Sequence, residues 1–494
     1  MNSKKSILLL FVAASSLAAS AQSLCLSQGE VTVVHSSANT GDMVFGSNSL
    51  TIEGKQYTLD NGTTLEVTKN GIDDNTVNIA YNGTAAKVTV AGNIARYLTV
   101  NASAANVSIL ASADLQQPVA YNLSGTSTNG SFYMDGKYAA TFNLNNLSLT
   151  NADSAAINIQ DGKHITIVMN GNNSLADGTG KFNNACLYVN GHTTFKGTGS
   201  LTVLGNTKHG ITGDEHMVIE DGTINITSLG DGLHVSEYFK QTGGNLTIKS
   251  TSDGIDVGFK GVNKGTKDTY AQNGFAFFEG GTINITSTGD AAKGIKADST
   301  IVVSGANITV NNSGNAIFDT TDNDISSSAA LKTGGQLTVT SGSLSLTNTG
   351  AGGKGINAKG DISIEGGEVY VTTTGSVWTY GNDDTKPHGT KTDGNIYLKG
   401  GKIFVAASAN SGAAFKTDFV FSISGGTIMG IGGKGSKPTA NTQTYNTYSG
   451  VNVKAGQALT YNGVSFTIPS IYNNSSAKVL VSGGKKRKGK KVKK

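Results

Sequence analysis

Hydrophobic and polar residues alternate along most of this chain in short runs, and the runs recur at a fixed interval. From Lys208 to Val257 a Gly followed by Ile or Leu returns every 22 residues, at Gly210-Ile211, Gly232-Leu233 and Gly254-Ile255. Between these beats lie strand-like segments and a Gly-Gly corner. GGTINITS, GGNLTIKS, GGEVYVTT, GGKIFVAA and GGTIMGIGG align at that corner. Alternation sends Leu246 and Ile248, Ile283 and Ile285, Val369 and Val371, and Ile403 and Val405 inward, and the residue between each pair outward. Period-2 runs rich in β-branched residues predict strands, and helical repeats are excluded because no 3.6-residue period is sustained. Three strands in each 22-residue interval predict one coil of a parallel β-helix, each coil adding roughly 4.8 Å to one apolar column. Gly294 and Ala316 are again 22 apart, as are Gly355 and Val377, with DTTDNDISS and GNDDTKPHG as loops that separate these pairs. A Lys follows the beat at Lys296, Lys332, Lys391 and Lys416.

The flanks read differently. Residues 22–135 carry short strands and hairpin-type turns at Asn61-Gly62, Asn70-Gly71 and Asn82-Gly83. They form a β-rich leader, either a small domain or a cover for the first open coil. The expected β-helix spans residues 136–433. Exposed ends of such a stack are open sheet edges, so residues 434–484 are expected to be a β C-terminal cap.

Composition adds compartment and charge. Lys4 and Lys5, the apolar run Ile7 to Leu17 and Ala19-Ser20-Ala21 make residues 1–21 a secretory signal. The chain is therefore expected to be exported through the Sec pathway to the cell surface, the periplasm or the exterior. The apolar run is too short to span a membrane, and no later segment qualifies. Export permits a disulfide, but Cys186 lies in Ala-Cys-Leu at a core-like position and reads as a buried thiol; two cysteines are too few for a structural metal site. The net charge of +4 conceals a split: the tail at 485–494 holds eight cations and the signal two, which leaves the body near −6. Such a basic block is usually disordered and contacts polyanions. Lys485, Lys486, Arg487, Lys488, Lys490 and Lys491 are its candidate contacts for an anionic glycan or lipid surface. Export and an acidic body argue against nucleic acid as partner.

The GDGL and SDGI beats, GDAAKGIKAD at Gly289 to Asp298, the GGTINI-like strands and the entry strand HITIVMNGNNSLADG together resemble one known family. It is the bacterial carbohydrate-binding (cellulose- and polygalacturonate-binding) calcium-dependent parallel β-helix family, and the resemblance covers roughly residues 140–433. It implies a right-handed parallel β-helix, calcium held between Asp side chains on the coils, and an acidic or neutral plant-type polysaccharide as ligand.

The residues offer chemistry for this. Calcium takes six to eight hard oxygen ligands. Asp231 and Asp253 precede successive beats, Asp256 adds a third carboxylate, and Asp290 and Asp298 bracket the Gly294 beat. The bland alternative is an Asx-turn beside each Gly. Sugar rings stack on aromatic faces, and the outward column Asn225, Thr247, Asn284, Ser345, Tyr370, Phe404, Met429 turns aromatic late, with Trp378 and Tyr380 in a loop nearby. Tyr370, Trp378, Tyr380 and Phe404 are thus the carbohydrate-binding candidates; the alternative is that the C-terminal segment buries them. Tyr270, Phe275, Phe277 and Phe278 are expected to pack down an insertion. A lyase needs a base beside a neutralised uronate. Arg96 and Arg487 lie outside the β-helix body, which leaves Lys293 and Lys296 as base candidates. Asp383-Asp384 and Asp322/Asp324 lack a supporting His motif, and His192 and His209 read as turn residues. The expectation is an exported, monomeric, non-catalytic, calcium-stabilised polysaccharide-binding protein with no catalytic residue. A pectate-type lyase and a structural cell-surface adhesin are the alternatives.

Overall fold

The computed structural model describes residues 22–37, 43–160, 162–178, 184–259 and 273–484. The expected signal at 1–21, Tyr270 and the basic tail at 485–494 lie outside the described residues. The chain divides into two compact units, 1–202 and 203–494.

In the first unit the leader strands pair in both senses. Ser23–Gln28 runs antiparallel to Val31–Ser36 and to Thr63–Thr68, while Val31–Ser36 runs parallel to Ala85–Ala91. Parallel stacking begins earlier than residue 136: Thr76–Asn82 pairs with Val119–Ser127, which pairs with Ala140–Asn151. Tyr121 and Phe142 stack at 4.9 Å in this core. On the other face Asn143 donates to Asn122, and Asn122 to Asn78, each at 2.8 Å. Cys186 is a buried thiol, and no disulfide joins it to Cys25.

In the second unit the inward pairs stack in register. Ile224 lies beside Leu246, Leu246 beside Ile283, and Ile283 beside Ile308. All are buried. The expected open, right-handed parallel β-helix is nevertheless corrected. The described residues are all-β, 61% strand with one tiny helix, and the parallel strands make a closed 12-strand barrel, not an open solenoid. The corners supply a physical reason. Ile301–Asn312 pairs with both Phe275–Phe278 and Thr282–Ser287, so one strand runs through a corner expected to separate two. Hydrogen bonding then continues through that corner of the wall. Gly305 at that corner sits too close to the Glu279 carbonyl to carry a Cβ.

The beat Gly has a steric cause. A Cβ on Gly254 would lie 2.4 Å from the Gly294 carbonyl and 2.4 Å from Ile285 Cγ2; Gly232 meets Ile248 and the Gly254 carbonyl in the same way. Overpacking of this kind costs about 1–3 kcal/mol. Gly254→Ala is expected to lose that much in chemical denaturation, and a loss under about 0.5 kcal/mol would mean that the neighbours yield freely.

Two of the expected 22-residue pairs dissolve. Gly294 aligns with Ala330, since Ile295 pairs with Leu331, and Gly355 aligns with Gly389, since Ile356 pairs with Thr390. The intervening residues form two antiparallel hairpins, Ile317–Asp319 with Asp324–Ser326 and Trp378–Tyr380 with Asp383–Thr385. At the C-terminal end Asn474–Ser482 runs antiparallel to Thr427–Gly432 and closes that edge.

Candidate functional site

Two polar columns run side by side along one wall of the second unit. The strand column follows the register His234, Asp256, Lys296, Lys332, Asn357, Lys391, Lys416. A turn column lies three residues earlier and holds His209, Asp231, Asp253, Lys293, Ala329, Lys354 and His388. Both change from acidic to basic along the stack.

At the acidic end the structure brings Asp231, Asp253 and Asp256 together. Asp231 Oδ1 accepts the Asp253 N–H at 3.0 Å, and Asp253 Oδ1 accepts the Lys293 N–H at 2.7 Å. His234 Nδ1 lies 3.0 Å from Asp231 Oδ2 and 3.4 Å from Asp256 Oδ2. Lys296 Nζ donates to Asp256 Oδ1 at 2.8 Å. These partners set the protonation states. Hydrogen bonds to Asp231 and Asp256 lift His234 to about 9. Burial pushes Asp256 up, but His234 and Lys296 outweigh it and hold the carboxyl at about 2. Asp253 is pushed up to about 6 by burial, against the pull of Lys293. His209 stacks on His234 at 4.6 Å and accepts the Asp231 N–H at Nδ1. Burial holds it neutral, at about 4.

This donor set does not fit the calcium expected here. Calcium wants oxygens free to converge on it, whereas Asp231 and Asp256 already face an imidazolium and an ammonium. His209, Asp231 and His234 present ligand atoms within 4.8 Å of one another, a mixed nitrogen and oxygen set instead of a cage of hard oxygens. Asp290 and Asp298 do not meet each other, and Asp298 reaches the cluster only through Lys296, 3.8 Å from its Oδ1. Asp290 binds the Asn315 backbone and side chain, and Asp298 accepts the Phe259 N–H at the opposite end of the strand Lys293–Ala297.

At the basic end lies a cleft of about 900 Å³ lined by eight lysines, Lys332, Lys354, Lys359, Lys386, Lys391, Lys416, Lys434 and Lys437, against Asp324, Asp383, Asp384 and Asp393. Lys386 pairs with Asp384 at 2.6 Å and Lys391 with Asp393 at 2.9 Å. Lys332 and Lys354 make no carboxylate ion pair among the described residues. Burial and then the neighbours Lys293, Lys296 and Lys359 push Lys332 down. The hairpins form one rim, through Asp324 to Ser327 and Asp383 to Lys386. They also carry rings: Phe318 stacks on Tyr380 at 4.0 Å, and Trp378 lies parallel to Tyr380 at 6.4 Å. Tyr380 is 51% exposed.

The four aromatic candidates therefore separate. Trp378 and Tyr380 lie on the second hairpin, in the strand paired with the rim-lining Asp383–Thr385, and their rings do not themselves line the cleft. Phe404 is 1% exposed under Phe466, Tyr472 and the rest of the C-terminal sheet. Tyr370 packs against the same cluster, with Lys402 over its ring at 5.4 Å. Burial removes Phe404 as a stacking face and leaves Tyr370 little of one. Lys293, a base candidate, is 9% exposed, with its ammonium aimed at Ser326 Oγ. Phe318, Lys354 and His234 were not singled out in the sequence. The beat-plus-two lysines were visible there as a recurrence, and their stacking is what the structure adds.

The family of carbohydrate-binding domain-containing proteins matches residues 103–377, more than half of the chain. The chain belongs to this family. Its carbohydrate-binding region takes in both polar columns as far as the second hairpin and includes Phe318, Lys332, Lys354 and Lys359. No curated protein matches the chain. A solved structure, the polysaccharide lyase-like protein from C. thermocellum in its gadolinium derivative, shares 23% identity with this carbohydrate-binding chain. That match covers 53% of this chain and 96% of that one, with a TM-score of 0.42. No helix among the described residues is long and apolar enough to cross a membrane.

Proposed function

We propose that the protein is an exported, non-catalytic polysaccharide-binding protein whose ligand is an acidic polysaccharide laid along the lysine cleft. The observation that carries this reading is the stacking of cations: Lys391 and Lys416 in direct register, Lys332 on the same column, and Lys354 beside them. A parallel stack repeats a side chain at roughly 4.8 Å, a spacing that suits a linear polyanion with charge at regular intervals. The hairpin rings Trp378, Tyr380 and Phe318 offer faces to the sugars. The basic tail supplies a further contact to anionic surfaces in this reading.

A calcium brace at Asp231, Asp253 and Asp256 is no part of it, because His234 and Lys296 occupy the place of the cation. Catalysis is no part of it either. Lys354 has the amine closest to neutral in the cleft, but it is 5% exposed and turned onto hydroxyl groups.

Affinity electrophoresis on polygalacturonate and on a neutral glucan tests the reading. Retention by polygalacturonate is expected, weakening with salt as surface charges are screened over about 10 Å at 0.1 M, and unchanged by chelator. Equal retention on the neutral glucan, or none on either, overturns it.

A further inference from the structure

We propose that Lys354 is the positioning residue of the cleft's aromatic rim, a clasp whose amine ties together the inner ends of the two hairpins. The proposal rests on the reading of the cleft as the glycan site and adds what holds that site in shape.

The geometry is local and complete. Lys354 Nζ donates to Ser327 Oγ at 2.6 Å and to Thr385 Oγ1 at 2.6 Å, and lies 3.5 Å from the Gly352 carbonyl. The two hydroxyls are themselves 2.9 Å apart. Ser327 immediately follows the first hairpin, and Thr385 ends the second. One amine therefore bridges segments 58 residues apart in sequence. The rim needs that bridge, because its closest stack takes one ring from each hairpin: Phe318 from the first and Tyr380 from the second. Gly352 seats the second hairpin. Its φ is +69°, and a Cβ there would lie 2.5 Å from Thr385 Cγ2 and 2.9 Å from Trp378 Cβ.

The choice of lysine is informative. Burying an ammonium without a carboxylate is costly, and an apolar side chain would fill the same turn-column position, as Ala329 does in the preceding strand. Charge-assisted hydrogen bonds are roughly twice as strong as neutral ones, so the charge stiffens the clasp at the expense of burial. The groups facing Lys354 come from several strands. Lys332 and Lys391 push its proton off, Asp393 holds it, and His388 beside it is kept neutral by burial and by the surrounding lysines. Burial is the largest influence and brings Lys354 down to about 7. Above that pH the amine keeps two N–H groups and no charge, and the clasp slackens.

The chain contains a single tryptophan, Trp378, so its emission reports the rim alone. In the full-chain protein a single emission step centred near pH 7 is expected. Lys354→Arg keeps its charge at all accessible pH and is expected to hold the acid-form emission with no step. Lys354→Met is expected to show the alkaline form throughout and to bind polygalacturonate roughly tenfold more weakly, the equivalent of one charge-assisted hydrogen bond. If Lys354→Met does not fold, Ser327→Ala with Thr385→Val removes the acceptors and serves in its place. A flat wild-type titration, or a step that persists in Lys354→Arg, overturns the clasp. Because emission needs no glycan, a wild-type step without polygalacturonate binding would defeat the glycan reading and leave the clasp standing.

Discussion

Asp231→Ala is expected to destabilise the protein by about 3 kcal/mol, whereas Asp231→Asn costs about 1 kcal/mol. The difference follows from what each oxygen does. Oδ1 accepts the buried Asp253 N–H, and Oδ2 faces His234 at 3.0 Å. Alanine removes both contacts, leaving one backbone donor without its acceptor and His234 with Asp256 alone. Asparagine keeps the first contact and loses only the charge of the second. A fully buried pair would cost 3–5 kcal/mol when broken; His234 is 37% exposed and Lys296 still compensates Asp256, which places alanine at the low end. Urea denaturation at neutral pH, with and without chelator, measures it. Equal losses for the two variants, or a wild type that loses stability on chelation, would sink this account of the cluster.

The pH dependence has a definite sign. His234 stands at about 9, above its ordinary 6.5, so its contribution is complete below 6.5 and disappears as pH rises through 9. Asp256 stands at about 2, below its ordinary 3.8, so its contribution is complete above 3.8 and disappears as pH falls through 2. These two contributions are therefore both complete between pH 3.8 and 6.5, and Asp231→Ala is expected to flatten the alkaline limb.

The strands were legible because alternation is a local property: Ile283 and Ile285, and Val369 and Val371, point inward as their spacing requires. Closure of the wall was not, because whether a corner ends a strand depends on hydrogen bonds to neighbouring strands far away in sequence. The 22-residue interval also misled beyond Ile255. The spacing of Gly294 and Ala316 arose from an inserted hairpin, and Gly294 finds its true neighbour in Ala330. That insertion and its counterpart at Trp378 hold the rim, so the places where the repeat failed are where the candidate site lies. At the acidic end the carboxylates were visible as a stack, but the neutralising cations were not. His234 and Lys296 each occupy one residue in the strand column, and only register shows that they flank Asp256. Phe404 belongs to an outward column whose outer face is covered by residues more than fifty positions later, Phe466 and Tyr472.

Reversing one charge in the cleft is expected to weaken polygalacturonate binding far more than reversing one elsewhere. Lys391 lies in register between Asn357 and Lys416 and faces the cleft. Lys391→Glu removes one attraction and adds one repulsion. At a partly exposed site each is worth about 1–1.5 kcal/mol, between the bulk-water and near-surface limits for charges some 4 Å apart, so the sum is roughly a 30- to 150-fold loss of affinity. Lys249 is the matched control: it is exposed on a different wall of the same unit, in the strand Asn245–Ser250. Lys249→Glu changes the net charge equally and is expected to change affinity less than about threefold, through long-range field alone. The existing pair with Asp393 makes the test stricter, since Lys391 spends part of its charge on that neighbour. Asp393→Asn is accordingly expected to strengthen binding slightly. Titration at low salt with a defined oligogalacturonate distinguishes the outcomes. Equal losses for Lys391→Glu and Lys249→Glu would mean that overall charge, not the stacked column, holds the ligand.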